Sequence, residues 1–144
     1  MDQWDFLQIE GRDLEKTLTH APLDSRSFSE WSNQLVITTG ISKSDAIRKA
    51  GMNPTFAYQI FSGQRLAKRD KLIQLAFGLE LDIPNTNEFL ERAGVNALTP
   101  RSSRDVIIAF CRFHNMDVPE CDETLFHAGY KPLRKDYPNA REWW

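Results

Sequence analysis

Seven basic side chains crowd one short stretch of this chain. Between Ile41 and Lys71 stand Lys43, Arg48, Lys49, Arg65, Lys68, Arg69 and Lys71, opposed only by Asp45 and Asp70. The stretch carries +5 in a protein of formal charge −2, so the remainder carries −7. Charge gathered this way can hold phosphate; a cluster of this size can equally be a solvated helix face. A second set has the residue types of a zinc site: Cys111, His114, Cys121 and His127. Their spacings, C-x2-H and C-x5-H, match no familiar finger order, and we read the cysteines as core residues with no metal. There is no glycine-rich phosphate loop, no Ser/His/Asp order with supporting context and no paired carboxylates in a recognisable pocket. Neither an enzyme nor a cofactor is expected.

The elements that must hold the basic cluster are helical. Apolar residues recur every three or four positions and strict alternation is rare. The 144 residues are 41% apolar and 11% aromatic, enough for one domain and too much for a disordered chain. The longest apolar runs are a few residues, which excludes a membrane span and a membrane partner. The start, Met-Asp-Gln-Trp-Asp, lacks the basic and apolar regions of a secretory signal. Two cysteines suit a reducing cytoplasm, the expected location.

Start and stop signals divide the first half. Residues 1–26 form an arm with one weak amphipathic stretch, Leu14 and Leu18 sharing a face. Ser27 with Glu30, and Ser42 with Asp45, open helices. The second of these runs from Lys43 to Ala50, with Ala46, Ile47 and Ala50 inward, and Gly51 stops it. Asn53 and Pro54 cap and begin the next, which ends at Gly63. Two short helices joined by so tight a glycine-containing turn are the signature of a helix-turn-helix.

At about 100° per residue the helix from Pro54 separates into two faces. Phe56, Ala57, Ile60 and Phe61 point inward, Phe56 and Ile60 toward Leu35 and Ile47. Pro54, Thr55, Tyr58, Gln59 and Ser62 point outward, and no acid stands among them. Gln59 can pair bidentately with adenine, and Thr55 can meet a base edge or a thymine methyl. Tyr58 can donate to a phosphate and belongs with the same reading face. A basic loop, Gln64-Arg65-Leu66-Ala67-Lys68-Arg69, follows.

From Ser42 to Leu79 the chain resembles the lambda-repressor-like helix-turn-helix of the Xre or Cro family. The likeness rests on Ser42 through Ile47, on Gly51, on Asn53 through Gly63 and on Lys71 through Leu79. It implies an all-α, five-helix DNA-binding domain, here residues 27–98, of a bacterial or phage transcriptional regulator. It implies that Pro54, Thr55, Tyr58 and Gln59 read bases. It places Ser42, Lys43, Asn53, Ser62, Gln64, Arg65, Lys68 and Arg69 on the DNA backbone. Phe56 and Phe61 are bulkier than most members carry, and Pro54 offers no hydrogen bond where a polar reader is common.

The second half echoes part of the first. Shifted by 35 residues, Arg69–Leu98 aligns without a gap on Arg104–Leu133, with ten identities in thirty. These include Arg69/Arg104, Asp70/Asp105, Asp82/Asp117, Pro84/Pro119 and Gly94/Gly129. Inner faces should agree too: Leu72, Leu75, Ala76 and Leu79 with Ile107, Phe110, Cys111 and His114. Residues 99–133 thus read as a C-terminal helical hairpin that caps the core or forms an interface. Phe126 and Tyr130 are its candidate contact residues for a homodimer. Residues 134–144 form a tail whose Trp143 and Trp144 can pack back or fill a partner's groove. The expected function is sequence-specific binding of double-stranded DNA as a repressor that occludes its site. The alternative is a protein-interaction module or antitoxin on the same fold, docking a protein through its acidic second half or the tail tryptophans.

Overall fold

Short polar side chains begin the helices because each can take up an N–H that the first turn leaves without a partner. The computed structural model of the chain describes residues 3–9 and 11–138. Its helices are α1 Phe6–Ile9, α2 Leu14–His20, α3 Phe28–Thr39, α4 Lys43–Ala50, α5 Pro54–Phe61, α6 Arg69–Gly78, α7 Ile83–Arg92, α8 Ser103–Phe113 and α9 Val118–His127. There is no strand among the described residues, so the chain is all-α. Asp13, Ser27, Ser42, Asn53, Asp82, Ser102 and Asp117 each accept a hydrogen bond from a first-turn N–H. At α6 the capping position falls to Lys68, which makes no such bond. No helix among the described residues is long and apolar enough to cross a membrane.

Helices α1 and α2 contact each other and bury no side chain, so Leu14 and Leu18 stay exposed. The core begins at α3, where Trp31 packs beside Phe28 and Phe89, with ring centroids 5.7–6.3 Å apart. Its centre is the contact of α4 with α6. Helix α6 is buried from Leu72 through Gly78 because α4 lies directly on it. A Cβ at Gly78 would stand 2.1 Å from the Ala46 carbonyl oxygen, so only glycine permits the approach. Gln74 completes the seam by donating from Nε2 to the Ala50 carbonyl at 3.0 Å.

The repeat extends to the backbone. Helices α6 and α7 correspond to α8 and α9. Glu80 and Asn115, equivalent positions between the paired helices, are the non-glycine residues with positive φ among those described, at 54° and 56°. The two hairpins meet through reciprocal ion pairs. Arg69 donates from both terminal nitrogens to Asp105 at 2.7 and 2.9 Å, and Arg104 to Asp70 at 3.0 Å each. Residue i of one unit binds j of the other, and j binds i, as about a two-fold axis. In keeping, α6 packs on α9 and α7 on α8.

The expected equivalence of inner faces fails at two positions. Cys111 is fully buried, like Ala76, and Ile107 is half-buried, but Phe110 is 50% exposed and His114 lies in solvent. Their counterparts Leu75 and Leu79 are buried because that side of α6 has α4 against it, whereas α8 carries no such helix. Val106, Phe110 and Phe113 therefore form an exposed apolar row along α8, at 47%, 50% and 72%. Phe126 and Tyr130, the candidate contact residues, are half-buried. Phe126 packs on Tyr137 with centroids 5.6 Å apart, and Tyr130 lies against the core.

Candidate nucleic-acid interface

Local sequence fixes the angle between α4 and α5. Gly51 turns left-handed at φ 68°, and its N–H closes α4 on the Arg48 and Ile47 carbonyls. Met52 also donates to Ile47, at 3.3 Å. The Asn53 side chain then accepts from Phe56 N at 3.1 Å, and Pro54 supplies the first helical residue. Ala46, Ile47 and Ala50 on α4, and Ala57, Ile60 and Phe61 on α5, are all within 2% of complete burial. A helix this short is held by that packing rather than by its own propensity.

The outward face of α5 is as the periodicity predicts. Pro54, Thr55, Tyr58 and Ser62 are exposed and Gln59 is half-buried. Helix α5 has no acidic residue in its first turn or elsewhere. The end of the helix ties down the following loop. The Gln59 carbonyl accepts from Gln64 N at 2.9 Å, from Arg65 N at 3.2 Å and from the Ser62 hydroxyl at 3.1 Å. Gln64 and Arg65 are thereby kept beside the outward face of α5. Beside Pro54 and Tyr58, Ser44 and Arg48 of α4 line a groove with Ile47 and Met52. Arg48 counted in the basic cluster but not among the expected contacts; its i,i+3 partner Asp45 lies 3.2 Å away.

Phe56 departs from expectation. It packs against the core but is half-buried rather than enclosed, and the Arg65 guanidinium lies 5.9 Å from its ring centroid. The reason is a groove of about 490 Å³ beside it, lined by Phe56 with Leu66 and Leu133. Lys68 and Lys71 from the start of α6, and Lys131 and Lys135 from the segment after α9, also line it. The last two were missed in the sequence, because they lie in the half whose overall charge is acidic.

Of the residues expected on the DNA backbone, Ser42 and Asn53 spend their side-chain acceptors on Asp45 N and Phe56 N. Lys43 places its ammonium 5.5 Å from the Phe61 ring centroid, and Lys68 is exposed. Arg69 is corrected to a structural role. Its Nε donates to the Asn96 carbonyl at 2.9 Å, Nη2 donates to Ala97 at 3.0 Å, and both terminal nitrogens are on Asp105. Burial, the largest influence on Asp105, would raise its pKa. The hydrogen bonds from Arg69 and Thr99 N, with the charges of Arg69 and Arg104, outweigh it and hold the carboxyl below its usual range.

The four zinc-type residues are not brought together. Cys111 and Cys121 are fully buried, whereas His114 and His127 are exposed. His127 sits 3.7 Å from Glu123. No group of three or more potential ligands occurs among the described residues. Trp143 and Trp144 lie outside the described residues. Comparisons of the chain with protein-family models, with curated proteins and with solved structures find no match.

Proposed function

We propose that the chain is a sequence-specific DNA-binding regulator of the lambda-repressor-like helix-turn-helix type, with α5 in the major groove. The observation that carries this reading is the outward face of α5. It offers hydroxyl, amide and phenol groups without a carboxylate, on a helix braced by a fully buried seam, beside a basic loop. A carboxylate there would be repelled by phosphate, and a mobile helix could not hold register on base edges. Thr55 and Gln59 read bases, joined by Pro54 and Tyr58. Lys43, Gln64, Arg65 and Lys68 meet phosphates, with Ser42, Asn53 and Ser62 beside them. Occlusion of its site is the mode of repression we propose.

The test is binding of the full chain to duplex DNA across a range of salt, with selection of a preferred site from a random pool. Log affinity should fall linearly with log salt, because neutralised phosphates release counterions. Gln59→Ala should cost about 1–3 kcal/mol on the selected site and almost nothing on random duplex. Arg65→Ala and Lys68→Ala should each weaken both duplexes alike and flatten the salt slope by about one unit. No duplex binding, or binding indifferent to salt, would overturn the reading in favour of a protein-interaction module.

A further inference from the structure

We propose that the cavity where the ends of α6 and α8 meet the start of α9 binds a small organic acid. The ligand's carboxylate meets Arg112, and its apolar part lies against Phe77, Met116 and Val118. The site goes beyond the DNA-binding reading and does not depend on it.

Arg112 is only 4% exposed. Among the described residues it forms no ion pair, and its enclosed Nε has no acceptor. Its terminal nitrogens reach neutral acceptors alone, at the long end of hydrogen bonding. Nη1 lies 3.4 Å from the Phe77 and Met116 carbonyls, and Nη2 lies 3.3 Å from Asn115 Oδ1. By contrast, Arg69 and Arg104 each grip a carboxylate at 2.7–3.0 Å. A charge taken this far out of water is costly unless a counter-charge meets it. Burial accordingly pulls the guanidinium's pKa below its ordinary value, against the charge of Glu80.

The repeat supplies an internal control. The counterpart of Arg112 is Phe77, whose ring centroid lies 5.0 Å from the Arg112 guanidinium. The first unit therefore builds its hairpin with an apolar side chain at this place, so the charge is not what the hairpin needs in order to fold. Arg112 lines a cavity of about 280 Å³, a size for a small ligand. Lys49 of α4 and Asn115 add donors to the lining, and Phe77, Met116 and Val118 add apolar surface. Both acids in the lining are engaged elsewhere. Asp117 caps α9 by accepting from Glu120 N at 2.9 Å. Glu80 lies 3.6 Å from the Lys49 ammonium, an exposed pair of the kind that exchanges readily with water or a ligand. A carboxylate is the planar acceptor that suits a guanidinium, and the apolar surface selects an acid with a short chain or ring.

The test titrates the full chain with butyrate and with benzoate, and separately with benzamide, the uncharged isostere of benzoate, and with inorganic phosphate. The readouts are the methyl resonances of Met116 and Val118 and the midpoint of thermal unfolding. At least one of the two acids should shift both resonances saturably and raise the midpoint, as a ligand of the folded state must. Benzamide should do neither. Arg112→Met keeps the length of the side chain without its charge. It should abolish the response and leave the midpoint equal or higher, because a buried charge short of a counter-ion does not stabilise the fold. Lys49→Gln, at the surface of α4, should weaken the acid by about two- to fivefold and serves if the first variant folds poorly. No response to either acid, benzoate and benzamide acting alike, or a response that survives Arg112→Met would overturn the site. So would phosphate acting as strongly as the acids, which would reassign the cavity to an inorganic anion. An unresponsive wild type together with a markedly less stable Arg112→Met would make the arginine a structural residue. None of these outcomes bears on duplex binding.

Discussion

Arg69 and Arg104 show how one residue type at equivalent positions acquires its role from its partners. Each guanidinium spans a carboxylate of the other unit and carbonyls of its own unit's closing loop: Asn96 and Ala97 for Arg69, Lys131 and Pro132 for Arg104. Planar, bidentate donation of this kind is specific to arginine, and lysine could not reproduce it. Asp105 is almost wholly buried, whereas the Arg69 side chain keeps 26% of its exposure. Asp105→Asn should therefore cost about 3 kcal/mol at neutral pH, the low end for a broken buried pair. The sign with pH follows from the depressed carboxyl. Its stabilisation is present above the ordinary value of 3.8 and is lost as pH falls through the lower folded value. Urea unfolding of wild type and variant should thus show a gap that closes on acidification. A gap that persists in acid would mean the pair is not the source. Asp122 acts in the opposite sense, since burial outweighs its hydrogen bonds from Arg134 and Leu133 N and pushes its carboxyl up.

Among elements, α6 and α8 are equivalent in the repeat and differ in what lies against them. Helix α6 has glycine at position 78, and α4 seats on it so closely that its backbone touches Ala46. Helix α8 has Phe113 at the equivalent place, 72% exposed, with no helix seated on it as α4 is on α6 among the described residues. The two positions should respond in opposite ways to alanine. Gly78→Ala puts a Cβ 2.1 Å from backbone oxygen and 3.1 Å from the Ala50 Cβ, neither of which can yield cheaply. It should lower stability by about 1–3 kcal/mol or more as α4 is forced off α6. Phe113→Ala should leave the stability of the monomer within about 0.5 kcal/mol. Thermal unfolding of the two variants side by side checks both. Equal losses would show that α8 is covered after all. The same seam bears on the proposed function, because α4 packs against α5.

For the whole molecule, the proposed reading gives a single recognition helix, which would cover few base pairs. Two copies on a palindromic site would need their α5 helices about 34–36 Å apart, one turn of DNA. Something beyond α4 and α5 has to set that distance, and the α8–α9 hairpin is the element we propose for it. Phe126 and Tyr130 are half-buried in the monomer, and the exposed row of Val106, Phe110 and Phe113 is the contact we propose on that hairpin. Laid antiparallel on its own copy, that row is self-complementary: Phe110 faces Phe110, and Val106 faces Phe113. Sedimentation at micromolar concentration should give a dimer, and Phe113→Asp should shift it to monomer without unfolding it. A wild-type monomer that stays monomeric on a duplex with two half-sites would remove the dimer and leave this face to a different protein.

Much of the architecture follows from residues close together in the chain. Ser42, Gly51, Asn53 and Pro54 end and begin α4 and α5 through bonds that reach three to five positions, so the turn between them was legible. So were the uncharged face of α5, from its period, and the hairpin repeat, from an ungapped match. Other features depend on residues brought together from afar. Arg69 reads as a phosphate ligand until Asp105, thirty-six positions on, takes both of its terminal nitrogens. Lys131 and Lys135 read as part of an acidic half until the segment after α9 carries them to Lys68 and Lys71. Phe110 and His114 inherit an inward reading from the repeat, yet periodicity reports only which side of a helix is apolar. Whether another element covers that side is decided by packing, and here α4 can lie on only one of the two equivalent helices.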